Sequence, residues 1–208
     1  MAELTRVGFL ALLGVVGVLR LVELRISLRN ERFLVARGAQ LPPDPSFRWM
    51  VILHVGVLAG AGAEVWFWRR PFVPALAAAM GVLFLAANGL RWWVIHTLGR
   101  HWSVEVVDAG RLGVVDTGPY RLIRHPNYAA VLVEMLALPL IHTAWVTAAV
   151  STPAHWLVLR SRLRTEDRML LANPEYRRKM GYKPRFVPRL FSRPEGSGHS
   201  ALPGSPVD

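Results

Sequence analysis

Three apolar runs constrain this chain more than any other feature. Val7 to Leu24, Trp49 to Trp68 and Phe72 to Ile95 are each nearly continuous in hydrophobic residues. At about 1.5 Å of rise per residue, each run is long enough to cross roughly 30 Å of hydrocarbon. A soluble helix of that length carries a polar face, and these carry almost none. Tryptophans gather at the run ends, at Trp49, Trp66, Trp68, Trp92 and Trp93, where an aromatic belt meets the headgroups. The expectation is an all-α integral membrane protein.

Charge orders the rest. The 208 residues carry 25 Lys and Arg against 14 Asp and Glu, a net charge of +11, and no cysteine. Without cysteine there is no disulfide framework, thiolate zinc site or Cys nucleophile. Arg25, Arg29, Arg32, Arg37 and Arg48 separate the first two runs, whereas only Arg69 and Arg70 separate the second and third. Arg91, Arg100, Arg111, Arg121 and Arg124 follow the third, and eleven Lys or Arg lie from Arg160 onward. The positive-inside rule puts the first loop, the third loop and the tail in the cytoplasm. An even number of crossings must then separate the third loop from the tail. The stretch Asn127 to Leu163 therefore reads as a hairpin: Asn127 to Leu140, a turn near His142, and Ala144 to Leu163 with a kink at Pro153. The expectation becomes about five transmembrane helices, N-terminus outside and C-terminus inside. Gly99 to Ile123 is expected as a cytoplasmic loop with short extended pieces.

The first run is too long, and lacks an Ala-x-Ala-like end, to be a cleavable signal. Residues 1–191 are expected as one membrane domain, with 90–190 as its functional core. The Pro/Gly/Ser-rich stretch 192–208 is expected to be disordered. The Arg residues are split among membrane-proximal loops, which favours anionic lipid headgroups as partners and argues against nucleic acid.

Two polar clusters could carry chemistry. Gly118 to Tyr128 reads GPYRLIRHPNY, with His125-Pro126 marking a helix boundary before Asn127 and Tyr128. Arg160 to Asp167 reads RSRLRTED, with Arg162 and Glu166 four apart on one helical face. Either could be a basic interfacial anchor or a solvated charge run, but the hairpin brings them to the same side. Two carboxylates interrupt apolar stretches, Glu64 and Glu134, each costing about 2.5–3.5 kcal/mol at a helix centre. Glu134 shares a face with Asn127 and Val131, below the first cluster, or it pairs with an Arg and fixes packing. Glu64 follows GAGA, a stretch suited to close helix packing, and His54 reads as an interhelical hydrogen bonder. No HExxH, Walker, GxGxxG or GxSxG motif is present, so no metal site is expected.

GPYRLIRHPNY, followed by a hairpin, an Arg-x3-Glu-Asp run and a Tyr about ten residues on, resembles the isoprenylcysteine carboxyl methyltransferase family. The N-terminal LRLVELRISLRNERFL and His54 look like a bacterial branch of it, some of whose members methylate alkylpyrone-like products. The resemblance implies an inner-membrane S-adenosylmethionine-dependent O-methyltransferase with its site facing the cytoplasm. The acceptor would be a lipophilic acid or enol, a prenylcysteine-like carboxylate or an alkylpyrone-like hydroxyl, entering from the membrane. It implies cofactor contacts at Leu112, Gly113, Val114, Val115, Tyr120, His125, Pro126, Asn127, Tyr128 and Glu166. Arg162 falls at the family's substrate-facing Arg, and Glu134 joins it as a candidate catalytic residue. Leu112 stands where the eukaryotic pattern has His, so contact there would be apolar or main-chain. Asp167 replaces the second Glu of the family's usual pair. The alternatives are a nicotinamide-dependent sterol-type membrane reductase, which shares a similar RHPNY segment, and a non-enzymatic lipid-binding membrane protein.

Overall fold

The computed structural model describes residues 1–105 and 113–188. The expected contact at Leu112 and the expected disordered stretch 192–208 lie outside them. The regular elements among the described residues are six α-helices and two short 3-10 turns. The helices are α1 (Ala2–Val35), α2 (Pro45–Phe67), α3 (Pro74–Leu98), α4 (Pro126–Leu140), α5 (Trp145–Ala172) and α6 (Pro174–Met180). The turns, Gly99–His101 and Gly118–Arg121, lie between α3 and α4. Short extended pieces were expected here; the described part of this connection holds these two helical turns, with extended backbone at Trp102 and Thr117 beside them. Pro opens four of the helices at the first turn, where its missing N–H costs nothing.

Three helices, α1, α2 and α3 with its trailing turn, are long and apolar enough to cross a membrane. They make this an integral membrane protein. Trp49, Trp66, Trp68 and Trp93 are exposed near their ends, as a belt of aromatics requires. α4 has 15 residues, about 22 Å of helix. It joins α5 through a tight turn at 141–144, closed by the Ala144 N–H donating to the Pro139 carbonyl at 3.0 Å. The hairpin expected from charge is present, and α5 continues as helix through Pro153.

The apolar core brings together Phe9, Leu13 and Val16 of α1, Val57, Ala61 and Val65 of α2, Phe84 of α3, and Val131, Met135 and Leu138 of α4. The small-residue stretch before Glu64 permits close approach on both sides. A Cβ at Gly62 would lie 3.3 Å from Leu10, and one at Gly60 would lie 3.3 Å from Thr147.

Glu64 caps α5. Its carboxylate accepts the backbone N–H groups of Val146 at 3.1 Å and Thr147 at 2.7 Å, and the Thr147 hydroxyl at 2.8 Å. Arg70 closes the charge at 2.8 Å. An anion at a helix N-terminus satisfies orphan donors and complements the dipole.

Polar side chains on the second half of α1 fix the connection after α3. Asn30 donates to the carbonyls of Gly99 at 3.1 Å and Trp102 at 2.8 Å. Ser27 accepts the Val104 N–H at 2.9 Å, and Glu31 accepts from both Ser27 and Ser103 at 2.6 Å. Residues 99–105 are thereby laid across one end of the helix bundle.

Candidate functional site

A cavity of about 550 Å³ runs between these elements. Its polar end is walled by Gly113, Val114, Val115, Tyr120, His125, Asn127, Tyr128, Arg162 and Glu166, together with Asn173 and Tyr176. Nine residues expected from sequence therefore face one space. Its other end follows Phe47, Met50, Val51, His54, Val55 and Leu58 along α2, and Gly17, Leu21 and Leu24 along α1. The α2 stretch alone covers about 16 Å of helix axis. Leu21, Val51 and Val55 are more than two-fifths exposed while lining the cavity, so it opens sideways between α1 and α2.

Tyr128 is the meeting point of the two clusters. It sits at the first turn of α4, and its hydroxyl donates to the Glu166 carboxylate and accepts from Arg162 Nε at 2.8 Å. The i,i+4 spacing on α5 sends both side chains to the same phenol. Arg162 is only 4% exposed. Its Nη2 donates to the Val104 carbonyl, and its Nη1 contacts the Met50 sulfur at 3.2 Å and Asp44 Oδ2 at 3.1 Å. One guanidinium thus joins α2, α4, α5 and both long connections.

His125 caps the site from the other side. Its Nε2 donates to Asp167 Oδ1 at 2.8 Å, and its ring stacks on Tyr128 with centroids 5.5 Å apart. Asp167 also receives Arg185 at 2.7 Å and Arg124 at 3.4 Å. The second carboxylate of the Glu-Asp run therefore holds the His125 ring. The segment after α6 completes the wall: the Arg124 and His125 N–H groups donate to the carbonyls of Pro184 and Arg185 at 2.9 and 3.0 Å. Lys183 Nζ donates to the Tyr120 carbonyl at 2.8 Å. Gly118 has φ +56°, and a Cβ there would stand 2.3 Å from Thr97 Oγ1.

Electrostatics at the polar end favour neutral phenols. Burial, then the Glu166 charge, pushes the Tyr120 and Tyr176 phenols above the ordinary tyrosine value. Burial, then the Glu31 and Asp44 carboxylates, raises Glu105. Asp167 is lowered to about 2, because His125, Arg124 and Arg185 together outweigh its desolvation.

Two expected residues stand elsewhere. Pro126 is buried at the first turn of α4 and fixes its start without reaching the cavity wall. Glu134 was expected below the RHPNY cluster as a candidate catalytic group. It is 1% exposed and faces a separate pocket of about 10 Å³ with Arg20, His54 and Leu138. Arg91 holds it at 2.5 Å and Arg20 at 3.2 Å. The reason is its partners: Arg20 on α1 and Arg91 on α3 draw the carboxylate into a buried ion-pair cluster.

Sequence reasoning missed Asp44, Met50 and Trp102. Asp44 carries a signal, since Asp before Pro-Ser reads as a helix N-cap, and its Oδ1 accepts the Ser46 N–H at 3.0 Å. Nothing local marks its other oxygen as a partner of Arg162.

Residues 79–172 match the model of the isoprenylcysteine carboxyl methyltransferase (ICMT) family. The uncharacterized protein YpbQ of Bacillus subtilis is 26% identical over 162 residues, 78% of this chain and 96% of that one. The cobalt-zinc-cadmium resistance protein CzcN of Cupriavidus metallidurans is 32% identical over 126 residues, 59% of this chain and 54% of that one. The solved structure of the eukaryotic intramembrane Ras methyltransferase ICMT superposes with a TM-score of 0.49 at 21% identity, over 64% of this chain and 50% of that one.

Proposed function

We propose that this chain is an S-adenosylmethionine-dependent O-methyltransferase acting on a lipophilic acid or enol, of the bacterial kind whose acceptors are alkylpyrone-like. The observation that carries the reading is the single cavity itself. The Arg162–Tyr128–Glu166 chain stands at one end, and largely apolar walls, with Arg20, Glu23 and Arg91 among them, open sideways between α1 and α2. The match of residues 79–172 to the ICMT family model supports it.

The residues present fit the cofactor. Asn127 Oδ1 is buried on the cavity wall with no hydrogen-bond partner among the described residues, so it offers an acceptor for an ammonium group. Glu166 offers a carboxylate on the wall of the same cavity. The main chain at Gly113, Val114 and Val115, with the neutral phenols of Tyr120 and Tyr176, would hold the less charged parts. When bound, S-adenosylmethionine supplies an electrophilic methyl group on a sulfonium centre.

The remaining work falls to the chain. Arg162, locked by its partners, presents a fixed positive charge at the place where the acceptor oxygen must sit, and fixed geometry lowers the barrier by positioning. Glu166 balances positive charge through Tyr128. Leu21, Val51 and Val55 exclude water and admit an alkyl chain. An acceptor oxygen already ionised near neutral pH needs no strong base. In the proposed orientation, five helices cross the membrane, the connection between α3 and α4 faces the cytoplasm, and the basic loops contact anionic headgroups.

The test is calorimetric titration of the detergent-purified protein with S-adenosylhomocysteine, and with NADPH in parallel. Saturable binding of S-adenosylhomocysteine alone is expected, weakened at least about tenfold by Glu166→Ala through loss of a charged contact. Binding of NADPH alone would overturn the reading in favour of a reductase. With the cofactor analogue bound, Arg162→Ala should abolish methyl transfer from a labelled donor to lipid extract.

A further inference from the structure

The cavity has a second polar region, away from its Arg162 end. Where the wall follows α1, α2 and α3, Arg20, Glu23, His54 and Arg91 stand on it among apolar neighbours. Ionisable groups at membrane depth are costly, and those beside a cavity mark where a polar ligand group is handled. The charges of Arg20, Arg91, Glu23 and Glu134 already cancel in a set of ion pairs. His54 stands outside those pairs.

His54 was expected to hydrogen-bond between helices. Its Nδ1 instead lies 2.7 Å from the Met50 carbonyl, one turn back on α2. A carbonyl only accepts, so Nδ1 carries the hydrogen and Nε2 of the neutral ring is an acceptor. Among the described residues, no group donates to Nε2. His155 lies edge-on to His54, with centroids 5.1 Å apart, and both its ring nitrogens are buried without a partner; His54 Nε2 is not sealed off in this way. Arg20, Glu134 and His155 close the ring in from the helix interior, so its open edge faces the cavity. Donors stand near it. Arg20 Nη1 and Arg91 Nη1 each give one hydrogen to Glu23 and keep a second. An acceptor and N–H donors with no net charge match a hydroxyl, which both donates and accepts. They do not match a second ion.

The position of this band constrains the ligand. Met50 touches Arg162 at 3.2 Å. His54 is four residues further along α2, about 6 Å of helix axis. Val51 and Val55, on the same stretch of α2, stand where the cavity opens sideways. A lipophile with its reacting oxygen at Arg162 passes His54 before its tail leaves the cavity.

We infer that His54, with Arg20 and Arg91, forms a second polar subsite that selects a methyl acceptor bearing a neutral hydroxyl about one helical turn along its chain from the ionised oxygen. His54 is then a specificity-determining residue. This rests on the reading that Arg162 faces the acceptor, and it narrows the acceptor class within that reading.

The test compares dodecanoate, 6-hydroxydodecanoate and 12-hydroxydodecanoate, titrated at pH 7.5 into the purified protein saturated with S-adenosylhomocysteine. All three heads are ionised at that pH. Wild-type protein should bind the mid-chain hydroxy acid about threefold to tenfold more tightly than the other two, the scale of one added hydrogen bond. His54→Phe keeps a ring and removes the acceptor nitrogen; the preference should vanish while dodecanoate and S-adenosylhomocysteine bind as before. His54→Gln restores an acceptor and should keep part of the preference. Thermal unfolding checks that each variant is folded. A readout without substitution uses isotope-labelled histidine: one ring-nitrogen resonance should shift with 6-hydroxydodecanoate and not with dodecanoate. Equal wild-type affinities, a preference that survives His54→Phe, no histidine shift, or no binding of any probe would each overturn the inference. Titration with S-adenosylhomocysteine alone reads the cofactor separately. If it binds while the probe pattern fails, only the subsite falls. If it does not bind, the methyltransferase reading falls.

Discussion

His125 Nε2 lies 2.8 Å from Asp167 Oδ1, joining the start of α4 to a point on α5 beyond its apolar stretch. Asp167 is the hub of this join, because Arg124 and Arg185 reach the same carboxylate. Its acidity carries a stability signature. The folded-state value of about 2 lies below the ordinary aspartate value of 3.8. The unfolded chain therefore binds the proton more readily, and stability rises with pH through this window. The contribution is complete above about pH 4 and is lost as pH falls through the folded value. Thermal unfolding across an acid series should show this limb in wild-type protein and lack it in Asp167→Asn. An identical limb in the variant would assign acid sensitivity to another group.

Glu64 bonds the first N–H groups of α5 from a helix that precedes it by about 80 residues, Thr147 at 2.7 Å being the closest. Glu64→Ala strands those donors and leaves Arg70 without its partner. The expected cost is about 3 kcal/mol, the scale of a hydrogen bond to a charged group. Glu64→Gln keeps an acceptor oxygen and should cost less. Both should leave S-adenosylhomocysteine affinity at the wild-type level, because Glu64 is not on the cavity wall. Thermal melting in detergent, paired with titration, reads both halves of this expectation.

The long helices were legible because burial in lipid demands continuous apolar runs, and little else in a sequence mimics them. The helical hairpin was expected from charge, because the positive-inside rule assigns the basic stretches around Arg124 and Arg160 to one side. The convergence of Tyr128, Arg162 and Glu166 was only partly legible. Spacing placed Arg162 and Glu166 on one face, but that face could equally have met water. The resemblance to a family, not the spacing, chose the cavity. Asp44 and Glu134 mark where local reading stops. Each is fixed by a partner more than 40 positions away in sequence, at 3.1 Å for Arg162 and 2.5 Å for Arg91. A buried charge announces in sequence that it has a partner and does not say which one.

Gly118 is required by both backbone and space. Its φ of +56° disfavours a side chain, and a Cβ would press into Thr97 at Oγ1, Cγ2 and Cβ, the nearest at 2.3 Å. Tyr120 sits on the same turn, with its carbonyl held by Lys183. Gly118→Ala should therefore lower the melting temperature and weaken S-adenosylhomocysteine binding together. Adding Thr97→Ala removes the two closest atoms and should restore part of both losses. The remainder should be about 1–2 kcal/mol, the cost of the left-handed conformation alone. Full restoration would mean the backbone angle imposes no cost here.

Arg20, Glu23, Arg91 and Glu134 form a buried ring of two acids and two bases, with contacts of 2.7, 3.2, 3.5 and 2.5 Å. Removing one member leaves a buried charge without its counter-ion, which costs about 3–5 kcal/mol. Glu134→Gln should therefore destabilise the protein strongly. Because Glu134 is absent from the wall of the large cavity, S-adenosylhomocysteine affinity should not change. A double variant, Arg20→Met with Glu134→Leu, removes one charge of each sign and leaves Arg91 opposite Glu23. It should be more stable than Glu134→Gln alone, a coupling that additive single-site effects cannot produce. If Glu134→Gln instead keeps wild-type melting and abolishes methyl transfer, Glu134 acts in the chemistry and the charge-balance account of this ring fails.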